Sequence, residues 1–329
     1  SFLNQFFPIS TNQFTFNNYN NQIFTDGCTA RCYELPVLTG RLKISGWFPP
    51  GPTKCEFLET ACWVNGKEVY GYIHTQILPK PLPKPSKTKK NLPDVFVILI
   101  DSMSSRMMKR SLAKTVEFMT QQFQAVDFPF YSQVALRSQV NALPLWFGKQ
   151  VEAGTMQGGR SIEVDWSQEN YCNHYLDDKP NMFKDFMEAG YTTNYIDDWY
   201  YQCLTSNPDC KGFQNYHSNH SFFPFVSIFE KTDLKITKEH RREVHLAALE
   251  YFEQFAEAYS DRPKFVWYWS VHVAHHYLMG ADRFDQPLLE FLQRNSEMFD
   301  NAFVVLMADH GFRAGTPEFY KTEIGNLEH

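Results

Sequence analysis

The hydrophobic pattern divides the chain at a stretch of proline and lysine. Residues 79–93 (PKPLPKPSKTKKNLP) show no apolar periodicity and read as an extended, exposed linker. Directly after it, residues 95–100 (VFVILI) form an unbroken apolar run ended by Asp101-Ser102, the pattern of a strand buried on both faces of a parallel sheet. Residues 302–308 (AFVVLMA) read as a second fully buried strand. Between the two, helical patterns over 106–124, 181–189, 238–259 and 287–298 alternate with strand patterns over 191–196 and 265–270. This alternation predicts an α/β domain over 94–329, a mostly parallel sheet between helices. Ahead of the linker, residues 1–78 are rich in Asn, Phe, Tyr and Thr, and segments 41–45 and 69–73 alternate as short strands.

Composition sharpens this picture. With 329 residues, 43% of them apolar, the chain can bury a substantial core, and its 30 Phe and 17 Tyr argue against disorder. The net charge of −6, with signs interspersed, gives no footprint for a nucleic-acid partner. Lys84, Lys87, Lys89 and Lys90 read as a solvated part of the linker rather than a polyanion site. Seven cysteines, four within 1–78 and the others at 172, 203 and 210, form no C-x-x-C pair, so disulfides in an oxidising compartment fit better than a zinc ribbon. One cysteine is then left over, or pairs outside the chain. Asn219-His220-Ser221 is a glycosylation sequon. No run reaches membrane-span length. A secreted or extracellular protein is expected, with any leader or membrane tether outside the sequence, which starts at Ser1.

Chemistry is expected at the strand ends, because ligands of open α/β sheets sit beyond the C-terminal edge. The two buried runs end in Asp101 and in Asp309-His310-Gly311. Carboxylates and imidazole suit a divalent cation such as Zn²⁺, and the two ends together offer three ligands to one ion. Taken singly, Asp101 is equally a helix cap or Asx-turn residue, and Asp309-His310-Gly311 a turn. Their joint placement after apolar strands favours the metal site.

VILIDSMS (97–104) and VVLMADHGFRAG (304–315) resemble the first and late metal motifs of the alkaline phosphatase/sulfatase superfamily. Within it, the chain looks most like a family of uncharacterised, extracellular sulfatase-like proteins, also through MFKDFMEAGYTTNYIDD (182–198), PKFVWYWSVHVAHH (263–276) and EIGNLEH (323–329). The resemblance runs from about Pro93 to the end and implies an alkaline phosphatase-like fold. It also implies a hydroxyl nucleophile on a loop after the first strand and its helix. SQVNALPLWFGK (138–149) puts Ser138 there, with Asn141 as a hydrogen-bond donor to a non-bridging oxygen and Gly148 at the terminal glycine. Val140 stands where the family pattern has proline, and the Pro and Arg of the sulfatase signature are absent, so sulfate cleavage through formylglycine is not expected. For a second ion the resemblance implies ligands from His275 or His276, with His272 behind them, and from Asp198, with Asp197 as its alternative. Arg313 would add positive charge. The resemblance thus implies one or two divalent ions, zinc in kind, and a small-molecule, glycan or lipid ester substrate. A final histidine of the two-ion set would lie beyond His329, so a longer native protein is expected. The rival reading is a secreted binding or structural protein on the same fold.

Overall fold

The computed structural model describes residues 27–49, 51–82, 92–155, 158–205, 209–236, 243–313 and 315–328. The Lys84–Lys90 cluster, residues 1–26 and the start of the 238–259 helix pattern lie outside them.

Four strands open the chain: β1 (Gly27–Glu34), β2 (Lys43–Ile44), β3 (Phe57–Val64) and β4 (Lys67–Thr75). They form an antiparallel sheet in the order β2-β1-β3-β4. Cys28 lies directly opposite Cys62 across β1 and β3, and the two are disulfide-bonded; a second bond joins Cys32 to Cys55. The β-rich, disulfide-containing N-terminal region is therefore present, although β1 and β3 carry no period-2 signal clean enough to read.

The main body runs β5 (Asp94–Ile100), α1 (Ser105–Ser111), α2 (Ala113–Gln122), α3 (Ser138–Phe147), the hairpin β6 (Gly154–Thr155) and β7 (Ser161–Ile162), α4 (Gln168–Tyr171), α5 (Met182–Glu188), β8 (Thr192–Asp197), β9 (His220–Ser221) and α6 (Phe223–Lys231). It continues with α7 (Val244–Ala258), β10 (Lys264–Ser270), α8 (Asp282–Arg294), α9 (Ser296–Phe299), β11 (Ala302–Met307), α10 (Pro317–Tyr320) and α11 (Glu323–Glu328). The sheet order is β11-β5-β10-β8-β9 and every pairing is parallel. Lys264 fixes the register of β5 against β10 by pairing its ammonium with Asp94 at 2.8 Å.

Alternate residues of the central strands enter two cores. Phe96, Ile98, Ile100, Ile196, Val266 and Tyr268 pack beneath α6, α7 and α8; Val97, Leu99, Tyr195, Phe265, Trp267 and Trp269 pack beneath α3 and α5. This is the expected sheet between helices. The N-terminal sheet joins the first core through Phe57, which meets Tyr251 at 5.7 Å. Glu59, wholly buried, holds the same junction: it takes Arg31 as an ion pair and accepts from Tyr33 and Thr232.

Three expectations need correction. Residues 302–308 are not buried on both faces: β11 is an edge strand, and on its outer face Phe303 is 64% and Val305 40% exposed. An apolar run cannot by itself report how many helices lie over it. The 106–124 helix breaks at Leu112 into α1 and α2. The last long helix starts at Asp282, and Pro287 lies inside it rather than at its start.

A third disulfide joins Cys172 to Cys210, and the odd cysteine, Cys203, is buried and free. The sequon residue Asn219 accepts from the Thr193 amide at 2.8 Å beside β9. Among the described residues no helix is long and apolar enough to cross a membrane.

Candidate metal centre

Because β5 and β11 are neighbours and both parallel, their C-terminal ends bring Asp101, Asp309 and His310 together. One ligand atom from each lies within 4.8 Å of the others, and all three residues are buried. Local backbone secures the arrangement. Ser102 adopts φ 59°, a left-handed conformation rare for a residue with a side chain. In that conformation its amide donates to Asp309 Oδ1 at 3.1 Å while its hydroxyl donates to Asp101 Oδ1 at 2.7 Å. One residue thus ties both carboxylates.

Ser138 opens α3 at its first position, a correction to its expected place in a loop. Its hydroxyl donates to Asp101 Oδ2 at 2.8 Å and lies 3.3 Å from His310 Nε2. Trp269 Nε1 donates to the same Asp101 oxygen at 3.3 Å. The histidine's tautomer follows from its other side. Nδ1 lies 2.7 Å from the Gly311 carbonyl, which only accepts, so Nδ1 carries the proton and Nε2 presents a lone pair.

The donor set tests whether a cation fits. Asp309 Oδ2 is buried without a hydrogen bond, 3.2 Å from His310 Nε2. The imidazole lone pair, a carboxylate oxygen without a close hydrogen bond and the Ser138 hydroxyl oxygen therefore converge in one buried place. Burial, and then the charge of Asp101, push the Asp309 carboxyl well above the usual range. Two buried carboxylates and an outward lone pair fit a divalent cation with N/O preference, and carboxylate–imidazole sets suit zinc.

The other expected residues stand elsewhere. Asn141 is buried within α3, where its Oδ1 accepts from the Val134 and Ala135 amides and its Nδ2 donates to the Ala135 and Arg137 carbonyls. Both amide protons are used, so it has none to offer a substrate oxygen; it clamps the chain leading into Ser138. Gly148 caps α3 at φ 63°, its amide donating to Pro144.

Asp198, wholly buried, accepts from the Val271 and His272 amides and from Ser270, and so binds the end of β10 rather than joining the cluster. Burial raises its carboxyl to about 7 against the pull of those donors. Asp197 accepts from Tyr195, Trp199 and Cys203. His275 and His276 face each other, Nδ1 to Nδ1 at 3.3 Å, outside the three-residue cluster. Burial lowers the His275 imidazole, though Asp101 is near enough to oppose that. His272 is half-buried, its carbonyl accepting from Arg283, and Arg313 is half-buried with its charge felt at His275.

Sequence reasoning missed three contributors. Ser102 adjoins a recognised motif, but its φ is invisible in the sequence. Trp269 has a signal, since Trp267 and Trp269 share a face of β10. Gln133, which accepts from the Gly311 amide at 3.3 Å, has none.

An α/β sandwich with a buried carboxylate–imidazole cluster at the C-terminal edge of its parallel sheet is the class defined so far. Residues 20–329 match the family described as "Protein of unknown function (DUF229)", and the chain belongs to that family. No curated protein matches it. Among solved structures it is similar to phosphonoacetate hydrolase from Sinorhizobium meliloti 1021 in complex with phosphonoformate, at 13% identity and a TM-score of 0.36. That match covers 76% of this chain and 59% of the other, a likeness too low to carry an argument.

Proposed function

We propose that this chain is a metal-dependent hydrolase of phosphate-type esters, with Ser138 as nucleophile. The observation that carries the reading is the Ser138 hydroxyl, 2.8 Å from Asp101 and 3.3 Å from His310 Nε2, beside the buried Asp101–Asp309–His310 cluster. Asp101, Asp309 and His310 would hold the ion, zinc by donor type. When bound, such a cation compensates the two carboxylates and lowers the pKa of a hydroxyl beside it. Asp101 Oδ2 orients the Ser138 oxygen, and Trp269 holds that carboxylate in place. The oxygen attacks phosphorus in line, expelling the alcohol, and water hydrolyses the resulting phosphoserine. The substrate is a small-molecule, glycan or lipid ester, and the disulfides support an extracellular setting, with glycosylation at Asn219 part of the same proposal.

The second reading, a binding protein without catalysis, draws on one observation: Asp198, His275 and His276 stand outside the cluster. Hydrolysis of a nitrophenyl phosphoester by the zinc-supplemented protein, beside Ser138→Ala, separates the two. Turnover lost in the variant supports the enzyme with Ser138 as nucleophile; turnover unchanged in the variant overturns Ser138 as nucleophile, and turnover absent from the wild type supports the binding protein.

A further inference from the structure

The donor to a substrate's non-bridging oxygen, expected at Asn141, has to come from elsewhere, because both Asn141 amide protons are spent on carbonyls. The chain between α2 and α3 offers a replacement. At Gln133 it is fastened beside the metal ligands: the side-chain oxygen accepts from the Gly311 amide at 3.3 Å, next to His310. At Val134 and Ala135 it is fastened to the nucleophile's helix, through amides that donate to Asn141. Tyr131 stands two residues before Gln133, in a turn closed by its own amide on the Phe128 carbonyl at 3.1 Å. Pro129 at the second position presets that turn. Both halves of the candidate site therefore fix the backbone that carries Tyr131.

The phenol itself lies close to the cluster. Burial, and then the charge of Asp309, raise its pKa, which places the ring within electrostatic reach of that carboxylate. Yet Tyr131 is 53% exposed, and its hydroxyl makes no hydrogen bond to any described residue. A tyrosine kept for packing is buried with its O–H matched. This one reaches water beside the ligand cluster with its proton uncommitted to the protein.

We propose that the Tyr131 hydroxyl donates to a non-bridging oxygen of the phosphate-type group held beside Ser138, a substrate contact that rests on the hydrolase reading of the same site. Phosphoryl oxygens only accept, and a hydrogen bond to an anionic oxygen is about twice as strong as one between neutral groups. Tyr131 thereby fills the role that Asn141 gives up.

Calorimetric titration of inorganic phosphate into the zinc-saturated full chain, wild type beside Tyr131→Phe, tests the contact without requiring turnover. The variant keeps the ring and loses only the hydroxyl, so its unfolding temperature and zinc content should match the wild type. The wild type is expected to bind phosphate, and the variant to bind it about tenfold or more weakly. With a nitrophenyl phosphoester, kcat/KM should fall alongside. A wild type that takes up no phosphate, or a Tyr131→Phe variant that binds it as tightly, would overturn the proposal. Phosphate binding that depends on Tyr131 in a wild type that turns over no ester would uphold the contact and sink the hydrolase reading instead.

Discussion

The amide of Ser102 donates to Asp309 Oδ1 at 3.1 Å, joining the ends of two strands whose residues lie 207 positions apart. The bond exists only because Ser102 holds φ 59°. Ser102→Gly should therefore keep the backbone, whereas Ser102→Val, β-branched in a left-handed conformation, should cost about 1–3 kcal/mol. Denaturant unfolding of the two variants checks the order.

The same pair of strands crowds two carboxylates. Burial and Asp101 push Asp309 upward, so in metal-free protein the second charge is a burden. Asp309→Asn keeps an oxygen for the Ser102 amide and removes that charge. It should raise metal-free stability and lower it relative to wild type once zinc is saturating, by about 2.7 kcal/mol at a hundredfold excess of free zinc over its Kd. Melting curves in chelator and in excess zinc report the crossover.

Asn141 has become a positioning residue. Its four hydrogen bonds hold residues 134–137 ahead of Ser138. Asn141→Ala should destabilise by roughly 2–3 kcal/mol and slow ester hydrolysis by misplacing Ser138, while zinc stoichiometry stays unchanged. Unfolding, turnover and metal content together distinguish this from a direct contact with substrate.

His217 gives the fold a pH signature far from the cluster. Boxed by Phe213, Phe183, Tyr195 and Trp146, its imidazole is lowered by burial to about 3. The folded pKa lies below the unfolded one, so the unfolded chain takes up the proton first. Nothing is lost above about pH 6.5; below it stability falls by up to about 1.4 kcal/mol per pH unit until the folded pKa is reached. His217→Phe should flatten that part of the acid limb in denaturant titrations.

The α/β order and the pairing of Asp101 with Asp309 and His310 were legible because apolar runs and the residues ending them are local signals. Ser138 was reachable only through the family resemblance, since a lone serine carries no pattern. Legibility failed where neighbours decide the outcome. Phe303 reads as core but lies at an uncovered edge, and Asn141 reads as a donor but its protons are spent on nearby carbonyls. His275 and His276 have the chemistry of ligands, yet the turn after β10 directs them at each other.

The central claim is that Asp101, Asp309 and His310 hold one divalent cation beside Ser138. Equilibrium dialysis against zinc, with elemental analysis of wild type and Asp309→Asn, tests it most directly. A stoichiometric ion in the wild type that is lost in the variant is the expected result. No stoichiometric zinc in the wild type, or the same content in both, would contradict it.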